Sequence, residues 1–182
     1  MTKALLIVDI QNDYFPGGRM ELEGSEPASL RAGEMLAVFR RRRLPIVHVQ
    51  HVSVRPGATF FLPDTEGVQI HANVAPGDHE TVIQKHFPNS FRDTGLLDHL
   101  RQRGIQELVI AGMMTHMCVD ATTRAAADFG FTCFLSHDAC ATRALTFGTT
   151  KVPAEHVHCS FVSALSGAYA TVQPASEIVA SL

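Results

Sequence analysis

Five apolar runs of strand length frame this chain: Ala4–Ile10, Ile46–His51, Thr81–Lys85, Leu108–Gly112 and Phe131–Leu135, with a shorter sixth at Tyr169–Val172. Runs rich in Val, Ile and Leu that do not alternate with polar residues suit strands covered on both faces, as when helices pack on a parallel sheet. Between most of them lie segments of helical period. From Pro27 to Arg43, residues Ala32, Met35, Leu36 and Phe39 share one stripe. From Asp93, read as an N-cap, Leu96, Leu97 and Leu100 do so until Gly104. A third stripe (Val119, Thr122, Ala126, Phe129) ends at Gly130, Pro153 opens a fourth with Val157, Phe161 and Ala164, and a short fifth follows Pro174. Strands alternating with helices define an α/β protein.

The 182 residues match the length of one domain, and no repeat or linker divides them, so residues 1–182 are expected to form a single unit. The stretch from Val52 to His79 has little periodicity and carries Pro56, Gly57, Pro63, Gly67, Pro76 and Gly77, the composition of a long loop. "SHDACATR", after the fifth strand, reads as a turn.

Fifteen Lys and Arg against eighteen Asp and Glu give a net charge of −3, which leaves no long-range attraction to nucleic acid or to an anionic membrane. The run Arg40–Arg43 ends a helix, where cations complement the dipole. The expected partner is a small molecule. The first apolar run is interrupted by Asp9 and too short for a signal-peptide core, and nothing later reaches membrane-spanning length, so the expected location is cytoplasmic. Cys118, Cys133, Cys140 and Cys159 form no CxxC pair and are read as free thiols.

In an open parallel sheet, ligands bind beyond the carboxyl ends of the strands. Asp9 follows "ALLIV", Lys85 follows "TVIQ", and the turn after "ELVIAG" delivers Cys118. An acid, a base and a thiol from distant segments would thus meet at one edge. A cysteine in the first turn of a helix, with Thr115 as N-cap, is expected to have a lowered pKa from the helix dipole. A carboxylate could take its proton, and an ammonium could hold that carboxylate ionised and in place.

"LLIVDIQNDYF", "KHFPNSF" and "GMMTHMCVDATTRAAADFG" resemble, in order and separation, the three signature segments of the isochorismatase-like cysteine hydrolases. The resemblance spans nearly the whole chain. It implies a Rossmann-like, three-layer α/β/α fold with a mainly parallel sheet of about six strands, and a catalytic triad of Asp9, Lys85 and Cys118. It also implies a cis peptide between Met113 and Met114 and an oxyanion site formed by the backbone N–H groups of Met114 and Cys118. The nicotinamidases of this family carry a metal beside the triad. The matching segment here, "HVQHVSVRPGATFF", keeps His51 but has Val49 and Thr59 where an Asp and a second His would fall. His48 and His51 should point to opposite faces of a strand. No metal and no cofactor are therefore expected.

The nucleophile points to hydrolysis of a small amide, ureide, imide or lactam-like C–N bond through a thioester. The alternatives are vinyl ether hydrolysis of the isochorismatase type, in which a thiol has no obvious role, and a non-catalytic or redox protein reusing the fold. Candidate pocket residues are Phe15, Phe60, Phe61, Phe87 and Phe91, with Thr115 and His116 beside the nucleophile. Gln11, Asn12, Asn89 and Ser90 are read as braces, and Asp138 as a turn residue. By analogy with the family, the chain is expected to form a homo-oligomer.

Overall fold

The computed structural model describes residues 2–182. Its first strand, β1 (Thr2–Val8), leads through a 3-10 turn to α1 (Ser25–Arg41), β2 (Ile46–His51) and β3 (Thr81–Lys85). There follow α2 (Leu96–Gln102), β4 (Ile105–Met113), α3 (Asp120–Asp128) and β5 (Thr132–Ala141). A hairpin of β6 (Leu145–Phe147) and β7 (Thr150–Val152) precedes α4 (Ala154–Leu165), β8 (Thr171–Gln173) and α5 (Ala175–Ala180).

Six strands make one sheet in the order β3-β2-β1-β4-β5-β8, with every neighbouring pair parallel. The chain winds outward from β1 in one direction through β2 and β3, and in the other through β4, β5 and β8. The reversal lies between β1 and β4, where the two crossovers diverge and leave a crevice at the strands' carboxyl ends.

The continuous apolar runs are explained by burial on both faces. On one face Leu5 and Ile7 of β1 pack with Met35, Leu36 and Phe39 of α1 and Ile178 of α5. On the other Ala4, Leu6 and Val8 pack with Leu96, Leu100, Val119, Ala126 and Leu165. All of these are at most 1% exposed, and each large side chain so buried contributes about 1.5–3 kcal/mol against chain entropy. Gly112 fits where a side chain could not. Its φ is 148°, and a Cβ there would stand 2.0 Å from the Val8 carbonyl oxygen, so β4 can close on β1 beside the crevice only with glycine.

Several sequence expectations shift. "SHDACATR" is not wholly a turn: β5 continues to Ala141 by absorbing a register shift opposite Ile110–Gly112. Asp138 accepts from Ser136 Oγ at 3.0 Å and from the Ala175 N–H at 2.8 Å, capping α5. Asp93 is not an N-cap; α2 starts at Leu96, after Gly95. The β6–β7 hairpin was not expected. Among the described residues no helix is long and apolar enough to cross a membrane.

Candidate active site

Asp9, the first residue past β1, has φ 51°, in the left-handed region that Asp tolerates better than most side chains. Its own N–H still donates to Val49 O at 3.0 Å, so the turn begins while the chain is tied to β2. The carboxylate is fully buried at the β1–β4 crevice. Lys85, the last residue of β3, reaches across the end of β2 to put Nζ 2.7 Å from Asp9 Oδ2, with both side chains fully buried. The same ammonium lies 3.0 Å from His51 Nδ1 and 3.0 Å from the Phe87 carbonyl oxygen. Its three hydrogens thus have three acceptors within the protein.

Cys118 comes from the far side of the crevice. The Met113–Met114 peptide that ends β4 is cis, and Thr115–Val119 then form a wide turn in which the Val119 N–H donates to Met114 O at 3.3 Å before α3 begins. Thr115 is not the N-cap expected: its hydroxyl donates to Ala141 O at 3.2 Å and lies 3.0 Å from His158 Nδ1. The Cys118 sulfur, a carboxylate oxygen of Asp9 and a ring nitrogen of His51 lie within 4.8 Å of one another. The buried Asp9 carboxylate thus has an oxygen within reach of the thiol, placed to accept its proton.

The electrostatics correct one expectation. Burial pushes the Cys118 thiol well above the ordinary thiol range, the Asp9 charge adds to this, and Lys85 offsets only part of it. The helix dipole does not make a resting thiolate here. Burial also raises Asp9 above the usual carboxylate range, although Lys85 and the thiol pull it down. Burial alone would lower Lys85, but the facing Asp9 and Cys118 reverse that and raise it. A protonated thiol, an ionised carboxylate and an ammonium carry no net charge together, which is the tolerable state for a buried group of this kind. His51 is held neutral, pushed down to about 3 by burial and by the Lys85 cation.

A cavity of about 300 Å³ opens onto Cys118, walled by Tyr14, Phe60, Phe61 and Phe87 and lined also by His51, Ser53, Val54, Arg55, His86, Pro88, Met114 and Met117. Three expected aromatic residues, Phe60, Phe61 and Phe87, are therefore on it. Four other expected residues are not. Phe15 stacks on His71 at 3.6 Å, and Phe91 packs in the opposite core against Phe129 and Phe131. Thr115 is fully buried as described, and His116 turns to the Thr142 hydroxyl at 2.5 Å and the Phe161 ring. In each case a side chain next in sequence to the site serves packing instead. The sequence reading missed Tyr14, Ser53, Arg55 and His86. Their signal was position: each sits shortly after the carboxyl end of β1, β2 or β3.

The braces explain the motif spacing. Gln11 Nε2 donates to His51 O at 2.9 Å and Val68 O at 2.7 Å, while its Oε1 accepts from the His51 N–H at 2.8 Å. Asn12 Nδ2 donates to Glu66 O at 3.1 Å. Asp13 accepts from the Phe61 N–H at 2.6 Å and the Arg19 N–H at 3.1 Å. One short segment thus fastens the long loop after β2 over the cavity. Asn89 Oδ1 accepts from the Phe91 N–H at 2.9 Å, and Ser90 Oγ lies 2.7 Å from Thr122 Oγ1, tying the segment after β3 to α3.

A metal set of the nicotinamidase kind does not fit. Val49 is a buried aliphatic with no donor atom, and His48 turns to the opposite face, 2.8 Å from Glu80. Among the described residues, Asp9, His51 and Cys118 are the group with donor atoms close enough to share an ion. The Lys85 ammonium that contacts both Asp9 and His51 already supplies positive charge there.

The isochorismatase domain model matches residues 3–152. The uncharacterized isochorismatase family protein YddQ of Bacillus subtilis (strain 168) is 52% identical over 173 residues, covering 95% of this chain and 96% of that one. The streptothricin hydrolase of Streptomyces noursei is 37% identical over 140 residues, 77% of this chain and 50% of that protein. A solved structure from Oleispira antarctica is similar over 98% of this chain and 96% of its own, with a TM-score of 0.95 at 50% identity.

Proposed function

This chain belongs to the isochorismatase family, and on that premise we propose that it is a cysteine-dependent hydrolase of small amide-type C–N bonds, with Cys118 as nucleophile, Asp9 as base and Lys85 as the group that fixes Asp9. The observation that carries this reading is the meeting of the three side chains at the β1–β4 crevice, beside a cavity open to the thiol. The streptothricin hydrolase relative, by its name, is a hydrolase too.

The chemistry follows from the geometry. Asp9 takes the thiol proton as the sulfur attacks the carbonyl carbon, so the S–H bond breaks while O–H and S–C bonds form. The oxyanion is met by the backbone N–H groups of Met114 and Cys118. Collapse of the tetrahedral intermediate breaks the C–N bond, and Asp9 returns the proton to the departing nitrogen. Water then gives a proton to Asp9 and its oxygen to the thioester, the C–S bond breaks, and the sulfur recovers the proton. The three side chains carry no net charge at rest or in the thioester, where Asp9 is ionised and Lys85 charged. While Asp9 holds the proton, the substrate oxyanion balances Lys85, and the proton lost with the amine is replaced from water. With its hydrogens spent on Asp9, His51 and Phe87, Lys85 holds the base rather than touching substrate.

The test is a screen of small amides, ureides and imides for ammonia or amine release, run beside Cys118→Ala. Turnover that survives the substitution on a substrate found this way would end the assignment.

A further inference from the structure

We infer that the substrate carries a carboxylate as well as the scissile carbonyl, and that Arg55 and Ser53 receive it at the mouth of the cavity. This deepens the reading of the same site and rests on Cys118 marking the reacting end.

The lining of the cavity is chemically polarised. Of its lining residues Cys118, Met114, Tyr14, Phe61 and Ser53 are buried, Phe60, Phe87 and His51 are half-buried, and Arg55 is exposed. The loop after β2 then contributes Ser53 and Arg55, two residues apart. No Asp or Glu lines the cavity. Arg55 is the only arginine or lysine that lines the cavity, its charge is felt by His51, and among the described residues no carboxylate pairs with it. An arginine left without a partner on the rim of an otherwise aromatic cavity is a planar, bidentate receptor for a carboxylate.

The other basic side chains nearby are already engaged. Lys85 has spent its hydrogens on Asp9, His51 and Phe87. His86 Nδ1 is taken by the Val52 carbonyl oxygen at 2.8 Å. The aromatic walls favour a flat, unsaturated body, and about 300 Å³ holds a molecule of small-metabolite size. The ligand class is therefore a short, flat amido or ureido acid, bound with its carbonyl at Cys118 and its carboxylate outward.

The experiment separates binding from turnover by using Cys118→Ala and calorimetry. Two matched pairs serve as probes: 4-carbamoylbenzoate against the neutral 4-acetylbenzamide, and 3-carbamoylpropanoate against the neutral 4-oxopentanamide. The expected result is that at least one acid binds about tenfold more tightly than its neutral partner, that Arg55→Gln in the same background removes the preference, and that Arg55→Lys restores part of it. Equal affinities within both pairs, a preference that survives Arg55→Gln, or no measurable binding of either acid overturns the inference. The hydrolase reading fails separately. An acid preference in Cys118→Ala, combined with no turnover of any amide or ureide by the unsubstituted protein, would leave the anion site standing and remove the reaction.

Discussion

Lys85 Nζ stands 2.7 Å from Asp9 Oδ2, and neither side chain is exposed. A buried pair of this kind adds little net stability while both partners remain, but loss of one leaves an unpaired charge in the interior. Lys85→Met is expected to destabilise the fold by about 3–5 kcal/mol and to abolish turnover. The double variant Lys85→Met/Asp9→Asn should regain much of the stability and none of the activity. Urea unfolding of the three proteins is the measurement, and a single variant within about 1 kcal/mol of the parent, the scale of a surface ion pair, would show that the pair is not buried as described.

The raised Cys118 thiol makes an unusual reactivity prediction. Because burial and the Asp9 charge both hold the proton on sulfur, iodoacetamide should modify Cys118 more slowly at pH 7 than an exposed cysteine such as Cys159. Asp9→Asn removes the second cause, so Cys118 should then be modified faster even though catalysis is lost. Peptide-resolved mass spectrometry follows both cysteines in one sample. Faster modification of Cys118 in the parent, or no acceleration in the variant, would contradict the electrostatics of the site.

At the opposite end of the sheet, Glu80 joins Arg40 at 2.6 Å, His48 at 2.8 Å and the Gly77 N–H at 2.9 Å. The Arg40 hydrogen bond, with help from Gly77 and His48, holds Glu80 down from 4.5 to about 2. A lowered carboxyl pKa means stability that is present above about pH 4.5 and lost as pH falls toward 2. His48, lowered chiefly by burial, adds a loss in the same direction below its ordinary range near 6.5. Arg40 is 41% exposed, so solvent screening reduces the Glu80 contribution to about 1 kcal/mol. Glu80→Gln should therefore flatten the fall in unfolding free energy between pH 5 and pH 2.5, and an unchanged slope would count against it.

What the sequence made legible follows from which signals are local. Leu5 to Val8 or Leu108 to Ala111 must be buried on both faces, and that alone specifies a parallel sheet with helices on each side. Asp9, Lys85 and Cys118 were readable because strand-end positions converge whatever the loops do. The cavity wall was not readable in the same way. Phe15 and Phe61 are both aromatic residues near the site in sequence, yet Phe15 stacks on His71 while Phe61 faces the cavity. The difference is set by long-range contacts from Gln11 and Asp13 to the loop after β2, which no local pattern encodes. The Cys118 pKa was misread for a related reason: its position in a turn is local, but its burial against Asp9 is tertiary.

Those long-range contacts predict that Asp13 governs binding rather than chemistry. Asp13 is 3% exposed, and its two carboxylate oxygens accept separately from the backbone N–H groups of Phe61 and Arg19. Phe61 needs that bond, since its φ of 55° is unfavourable for an aromatic residue by roughly 1–2 kcal/mol. Gly67 packs so closely on Asp13 that a Cβ would fall 2.1 Å from Oδ1, which rules out a compensating shift toward that loop. In Asp13→Asn one of the two N–H groups must face an amide NH₂ instead of an acceptor, at a cost of about 1–3 kcal/mol where it is the buried Phe61 N–H and less where it is the part-buried Arg19 N–H. The Phe60–Phe61 wall would loosen while Asp9, Lys85 and Cys118, held by the strands, keep their geometry. On a substrate identified by the amide screen, KM should rise several-fold with kcat within about twofold of the parent, since the interaction lost is one made equally before and during reaction. A fall in kcat with unchanged KM would mean instead that Asp13 acts through the triad.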